Sequence, residues 1–421
     1  MKRAVLVLLL LVAISAGAVT MAQDNPPKAI SIGAVIPLTG RYAGGGAQVQ
    51  RGYQLAVDDI NAKGGVKVAE YNTSLPLSLT ILDDESDPSK TVSNLETLNS
   101  QGVVAYLGGF GSDLHVAAAP IAEKNQVPYL GVAFALYDIH QQGYKYLFSP
   151  FPKSPDLVTA SYGLINSIPQ DQRPQHIGIM QEKTDWGIEL TGMWKDQASQ
   201  AGIDVAAVEE YAPGTKDFTN LILDLQSKNV DAVMGEPTPP DGIAIVTQMA
   251  QLGYTPKFML LFRAPDAPTW VTSVGAPGDY VMFAPGWHNS MKFPGVDQLN
   301  EEHKKLMGRP ADPIVGPSYA VIQILAGAIE KAGKLDRAAI RDAIAASDTQ
   351  TVMGEIKFRD DGTGTVTTPI LQYQQGKVQV VWPLDFKTAD LVYPAPALDT
   401  RPEVTQPPPT PAPAATPTPS S

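Results

Sequence analysis

The sequence predicts an α/β protein built as two doubly wound lobes, each a parallel sheet with helices on both faces. Short apolar or β-branched runs alternate with amphipathic stretches along most of the chain, the pattern of repeated strand-helix-strand units with right-handed crossovers. Each run is about as long as a buried parallel strand. The runs are too many for one comfortable sheet, and a chain of 421 residues suits about two to three domains.

Taken in order, the chain opens with Lys2 and Arg3, an apolar run from Ala4 to Ile14, and small residues ending Thr20-Met21-Ala22. This is the pattern of a secretory signal peptide, its apolar part shorter than the roughly 20 residues of a spanning helix. Cleavage is expected after Ala22, with Ala18 the alternative and an uncleaved anchor the competing reading. Strands are expected at Ile30 to Ile36, Leu77 to Leu82, Val103 to Leu107, Val127 to Val132, His176 to Met180, Val230 to Met234, Phe258 to Leu261 and Tyr280 to Phe283. After Gly46, the apolar side chains Val49, Tyr53, Ala56, Val57 and Ile60 recur at helical spacing, and Gly64-Gly65 ends the helix. Asp87-Pro88 suits the cap and first position of a helix through Leu98. Val321, Leu325, Ala328, Ile329 and Ala332 form a stripe closed by Gly333. From Pro394 to Ser421 the composition turns to Pro, Thr, Ala and Ser, with little to bury, and a solvated polyproline-like tail is expected.

Charge and composition narrow the function. The 31 basic and 43 acidic residues give −12, and without the leader 29 stand against 43, or −14, which repels phosphate backbones and excludes a nucleic-acid partner. With no cysteine, disulfides, thiolate metal sites, a cysteine nucleophile and a lipid anchor on cysteine are excluded. The expected place of work is the periplasm or the extracellular space. No catalytic constellation is apparent: His115, His140, His176, His288 and His303 are scattered without zinc-binding spacing, and there is no phosphate-binding GxxxxGK[ST] loop or GxSxG elbow. Gly108 to Leu114 matches only part of a dinucleotide fingerprint. Asp83-Asp84-Glu85 with Asp87 reads as a strand exit and helix cap rather than a cation site. No cofactor and no metal are expected.

One segment is far more specific. Ile32 to Gly65, IGAVIPLTGRYAGGGAQVQRGYQLAVDDINAKGG, closely resembles the opening of periplasmic solute-binding proteins of the branched-chain (leucine/isoleucine/valine) amino-acid type, which serve ABC importers. Further echoes follow in the family's order: Asp83-Asp84 and Asp87-Pro88, Leu107 to Pro120, Gln142 to Tyr146, Lys183 to Gly187, Tyr211 to Phe218, Asp231 to Val233 and Val352 to Phe358. The resemblance spans roughly Ala29 to Pro383. It implies a type I periplasmic-binding-protein-like fold, two lobes joined by a three-strand hinge and closing on a ligand. The first lobe would hold 28–149 and 286–352 and the second 150–285 and 353–393, with crossings near Phe148 to Phe151, Phe283 to Trp287 and Val352 to Gly354.

Carried over residue by residue, the resemblance implies a ligand site of Phe110, Gly111, Ser112, Ala133, Phe134, Ala135, Trp186, Thr238, Phe262 and Arg263. Ser112, beside Gly111 and Asp113, would bind the ligand's carboxylate at a helix N-terminus; a plain N-cap is its other reading. Ala133, Phe134 and Ala135 stand where the family brings a threonine, and Trp186 where it closes an aromatic lid. Thr238 falls in the Pro-rich loop EPTPPDG. The acid that pairs with a ligand ammonium is missing after the Phe258 to Leu261 strand, where the chain has Phe262-Arg263. Arg263 in that place suits a carboxylate, and Glu236 or Asp266 could replace the acid from another loop. Trp287-His288 belongs either to the cleft mouth or to hinge packing. The implied activity is capture of an apolar or aromatic organic acid, or an apolar amino acid, by a monomer that delivers it to an ABC permease in the membrane. A ligand-sensing receptor subunit is the alternative, and an exported hydrolase a distant third.

Overall fold

In the computed structural model, which describes residues 25–403, the apolar runs fall into two sheets. The first has five strands in the order Leu77–Asp83, Ile30–Ile36, Tyr106–Leu107, Tyr129–Leu130 and Leu147–Phe148, all parallel. Ile30–Ile36, paired on both sides, has only Ser31 partly exposed, as an apolar strand covered on both faces should. The second sheet has seven strands: Lys377–Trp382, Ile370–Gln374, Met282–Phe283, Phe258–Leu261, Ala232–Gly235, His176–Glu182 and Asp204–Tyr211. Its last five are parallel, while Ile370–Gln374 runs antiparallel to both of its neighbours. The two-lobed α/β architecture therefore holds, with an antiparallel hairpin added at one edge.

Local chemistry sets the helix starts. Asp87 caps the helix Pro88–Ser100, its carboxylate accepting from the Ser89 amide at 2.7 Å. The helix Ala43–Ala62 begins three residues before Gly46. A Cβ on Gly45 would stand 2.3 Å from the Phe110 ring, and one on Gly46 only 1.9 Å from the Pro37 carbonyl, so glycine lets this helix start against the binding cleft. Val49, Tyr53 and Ala56 then face the first core, against the helix Val315–Ala332.

The first crossing leaves Phe148 for the helix Ser154–Ser167, and the second leaves Phe283 for the helix Val296–Met307. The third does not lie at Val352 to Gly354. Those residues turn a hairpin, Asp348–Thr351 with Gly354–Lys357, in which Gly354 takes φ 91° and the Thr351 hydroxyl donates to the Gly354 carbonyl at 2.9 Å. Met353 and Ile356 stay in the first core. The chain crosses farther on, where Thr363 bridges Ser149 of the first crossing and the Ser149 and Gly364 amides donate to Gly362 and Ser149 carbonyls at 2.9 Å each.

The expected leader, residues 1–22, and the tail beyond Glu403 lie outside the described residues. The stretch from Pro394 to Glu403, expected to be free tail, is tied down. Arg401 donates through Nη1 to the carbonyls of Ala276, Pro277 and Asp279 at 3.3, 3.1 and 2.8 Å, and its guanidinium lies 5.4 Å from the Tyr280 ring centre. A single arginine that satisfies several carbonyls anchors a segment with few apolar residues of its own. Arg401→Ala is expected to lower unfolding free energy by about 1.5–3 kcal/mol in denaturant titrations, the value of hydrogen bonds to charged groups.

Candidate functional site

The carboxyl ends of the parallel strands of both sheets face one another, and a small cavity of about 30 Å³ lies between them. Nine of the ten residues singled out in the sequence line it: Phe110, Gly111, Ser112, Ala133, Phe134, Ala135, Trp186, Phe262 and Arg263. Asp266 completes the polar part of the wall.

Ser112 is the first residue of the helix Ser112–Asn125, whose cap is Gly111 at φ 110°. It is thus not an N-cap; its Oγ accepts from the Leu136 amide at 3.4 Å and keeps its own proton to donate. Gly111 is required there because a Cβ would press to 2.6 Å from the Tyr42 ring. Across from it Ala133 holds φ 52°, an unusual conformation for a residue with a side chain, and its carbonyl accepts from the Gly111 amide at 3.2 Å.

Phe134 is fastened from behind. His115 stacks on it at 4.1 Å between ring centres, His140 at 5.7 Å, and the Lys153 ammonium nitrogen sits 3.4 Å from its centre. That nitrogen also donates to the Phe134 carbonyl and the Ser149 hydroxyl, at 2.8 Å each. Burial pushes both imidazoles down to about 3 and holds the Lys153 amine well below the usual lysine range. The sequence showed these histidines as scattered; only the fold reveals that two share one ring.

Trp186 lies in the first turn of the helix Asp185–Ala201, and its indole N–H donates to the Ser154 hydroxyl at 3.1 Å. Arg263 covers the indole, 4.7 Å from its centre. The guanidinium is not free for a solute carboxylate, as the sequence had suggested. Nη2 pairs with the Glu182 carboxylate, and Nε and Nη2 donate to the Glu236 carbonyl at 2.8 and 2.5 Å. Glu182 was missed; the available signal was an acid at the carboxyl end of a parallel strand, where ligands gather.

Three contacts join the lobes around the cavity. Arg41 reaches Glu182 at 3.5 Å while holding Asp113 at 2.7 Å, and the Gln48 amide donates to the Asp266 carbonyl at 3.1 Å. Glu189 accepts from the amides of Tyr137 and Asp138 at 2.9 and 2.7 Å.

The periplasmic binding protein family model matches residues 29–377. The chain belongs to that family. It is a binding protein, not an enzyme, as the family's members are. Among curated relatives, the Leu/Ile/Val-binding protein homolog 7 of Brucella abortus is 25% identical over 398 residues, covering 90% of this chain and 96% of that protein. Homolog 8 of Brucella suis is 26% identical, covering 88% and 94%. Among solved structures, the leucine-binding protein LivK of Thermotoga maritima superposes with a TM-score of 0.74 at 22% identity, over 83% of this chain and 97% of that one. LivJ of Streptococcus pneumoniae, in complex with isoleucine, gives 0.74 at 21%, over 85% and 100%. A solute-binding protein of R. palustris in complex with benzoate gives 0.72 at 16%, over 87% and 98%. At these identities the structures establish the fold alone.

The remaining expectations sort by geometry within this binding protein. Thr238 is buried but stands apart from the cavity, because Pro239-Pro240 begin the next helix and turn it into the lobe. Trp287 packs in the first core: its indole donates to the Val352 carbonyl at 2.8 Å and presses on Gly316. Asp83 and Asp84 accept from neighbouring amides and hydroxyls, and no metal-holding cluster occurs among the described residues.

Of the two acids considered as replacements, only Asp266 faces the cavity, and its Oδ1 has no hydrogen-bond partner. Burial raises it well above the usual carboxylate range, against the pull of Arg263. Glu236 lies behind; its Oε1 accepts from the Glu182 amide at 2.7 Å, Oε2 has no partner, and burial pushes it up to about 8. A carboxyl held above its ordinary 4.5 keeps its proton in the folded protein while the unfolded chain releases it. Its support for folding is complete below about pH 4.5 and is lost as pH rises through about 8. Glu236→Gln, which cannot ionise, is therefore expected to gain in melting temperature relative to the parent as pH rises from 5 to about 8, as calorimetric scans across that range would show.

Proposed function

We propose that the chain captures a small carboxylate-bearing apolar solute by closing its two lobes and delivers it to an ABC permease, working as a monomer outside the cytoplasmic membrane. The observation that carries this is the convergence of nine sequence-chosen residues on one cavity between the lobes. Ser112 and the start of its helix receive the carboxylate, where oriented amides favour an anion. Phe110, Phe134, Trp186 and Phe262 form apolar walls. The moving bodies are the two sheets with their helices, divided at the crossings beside Phe148, Phe283 and Thr363. Transport is favoured over sensing by the relatives' own descriptions as transporter binding proteins.

Within the solute class the apolar amino acid is favoured over the plain organic acid. Arg263 is engaged by Glu182, whereas Asp266 offers a buried, unpartnered carboxyl on the same cavity as Ser112. A buried acceptor of that kind calls for a donor or cation, which an ammonium supplies. LivJ, with isoleucine bound, is consistent with this choice; the benzoate-bound neighbour marks the other.

Titration calorimetry against leucine and its deaminated analogue 4-methylpentanoate separates the two. Leucine is expected to bind more tightly; Ser112→Ala should weaken both at least tenfold, and Asp266→Asn should weaken leucine at least tenfold while sparing the acid. Equal loss of both in Asp266→Asn, or none, would remove the ammonium assignment. Indifference of both solutes to Ser112→Ala would remove the carboxylate site.

A further inference from the structure

We propose that the binding site continues outward from the small cavity into a second chamber, and that the solute carries an apolar body larger than a branched aliphatic side chain, housed there. This rests on the reading that Ser112 and Asp266 hold the solute's polar end.

The volumes decide between the two spaces. Small-molecule sites run to about 300–1,000 Å³. The inner cavity has about 30 Å³, room for little more than the polar end of a solute. Of two wider spaces between the same lobes, one of about 780 Å³ shares no lining residue with the inner cavity, whereas one of about 560 Å³ does. Phe110 and Asp266 line both the inner cavity and the latter, so they form the partition, and a molecule with its polar end on Asp266 meets that wider space directly beyond.

The chamber's exposed lining is mainly apolar, although Arg41, Arg51, Arg309 and Asp312 also border it. On the first lobe its wall is the glycine-rich start of the helix Ala43–Ala62, drawn in against Phe110 by the absence of a Cβ on Gly45. On the second lobe it is Pro239, Pro240 and Ile243 at the start of the helix Pro239–Gln251. Gln48 ties the walls together, donating to the Asp266 carbonyl at 3.1 Å and accepting from the Ile314 amide at 3.1 Å. Asp266 is the independent pointer to a ligand: a carboxyl buried to all but 6% of its surface, with Oδ1 unpartnered, set in the partition itself. The Pro-rich loop EPTPPDG thus contributes through Pro239 and Pro240 rather than through Thr238.

The test compares leucine with 2-amino-4-phenylbutanoate, which share the polar end and differ in the length of the body. Calorimetry on the full chain should find the longer probe bound at least tenfold more tightly, from the added apolar surface. Gly44 lines the chamber, and a Cβ placed on it meets nothing within 4 Å, so Gly44→Leu fills space without a backbone clash. That variant should cut the ratio of the two affinities at least tenfold; if it melts below the working temperature, Ile243→Trp on the opposite wall reads the same ratio. Leucine bound and the longer probe rejected, or a ratio unmoved by the filled chamber, overturns the chamber alone. Failure of both probes to bind the parent chain overturns the polar-end reading, and this inference with it.

Discussion

A carboxylate sealed from water needs a cation close by, and at the junction of the two sheets that need organises the surrounding residues. Glu182 ends its strand fully buried, and Arg263 supplies the opposing charge from the next loop but one. Burial works against the guanidinium, but Glu182 with Tyr42 and Glu236 outweighs it and keeps it protonated. The guanidinium carbon stands 4.7 Å from the centre of the Trp186 ring, and the indole lines the cavity. Burial, against the pull of Arg263, keeps Glu236 protonated near neutral pH. Arg41 extends the pairing across the cleft, tying Glu182 of one lobe to Asp113 of the other.

The opposite wall is organised by a buried histidine and a buried lysine. His115 is held through its Nδ1 to the Gly111 carbonyl at 2.7 Å, and with burial holding it near 3 it remains an uncharged ring stacked on Phe134. The same hydrogen bond steadies the residue that starts the Ser112 helix. Lys153, at the first crossing, clasps the Phe134 carbonyl and the Ser149 hydroxyl. Ser149 in turn bridges the third crossing at Thr363. The aromatic wall of the cavity and two of the three strands joining the lobes are therefore one packed unit, so displacement at the hinge is felt at the wall.

Much of this was legible because it is local. Apolar runs marked the parallel strands, Asp87-Pro88 marked a cap, and the segment from Ile32 to Gly65 marked the family. What escaped depends on partners distant in the chain. Arg263 looked like a free anchor because Glu182 stands 81 residues away in sequence. The third crossing was placed too early because Val352 to Gly354 is apolar and glycine-marked in either role; only packing of Met353 and Ile356 on the first core makes it a hairpin. The edge strand Asp204–Tyr211 was overlooked because it is half exposed and carries acids, which blurs the apolar signal. Composition also misjudged Pro394 to Glu403, since one arginine and three carbonyls outweigh the lack of apolar side chains.

In the capture we propose, the two spaces that share Phe110 and Asp266 divide the work of recognition by dielectric. A charge is discriminated best where water is excluded and donors are fixed in advance, which favours a cavity no larger than the group it holds. An apolar body needs only area, and a wider chamber of prolines, glycines and an aromatic edge provides it without demanding a single pose. Placing Asp266 in the wall between them joins these requirements: its unpartnered oxygen penalises an empty or wrongly filled inner cavity, while its backbone, held by Gln48, keeps the outer walls together. In that proposed capture, closure of the lobes brings both halves of the recognition to completion in one movement, because each space takes one wall from each lobe.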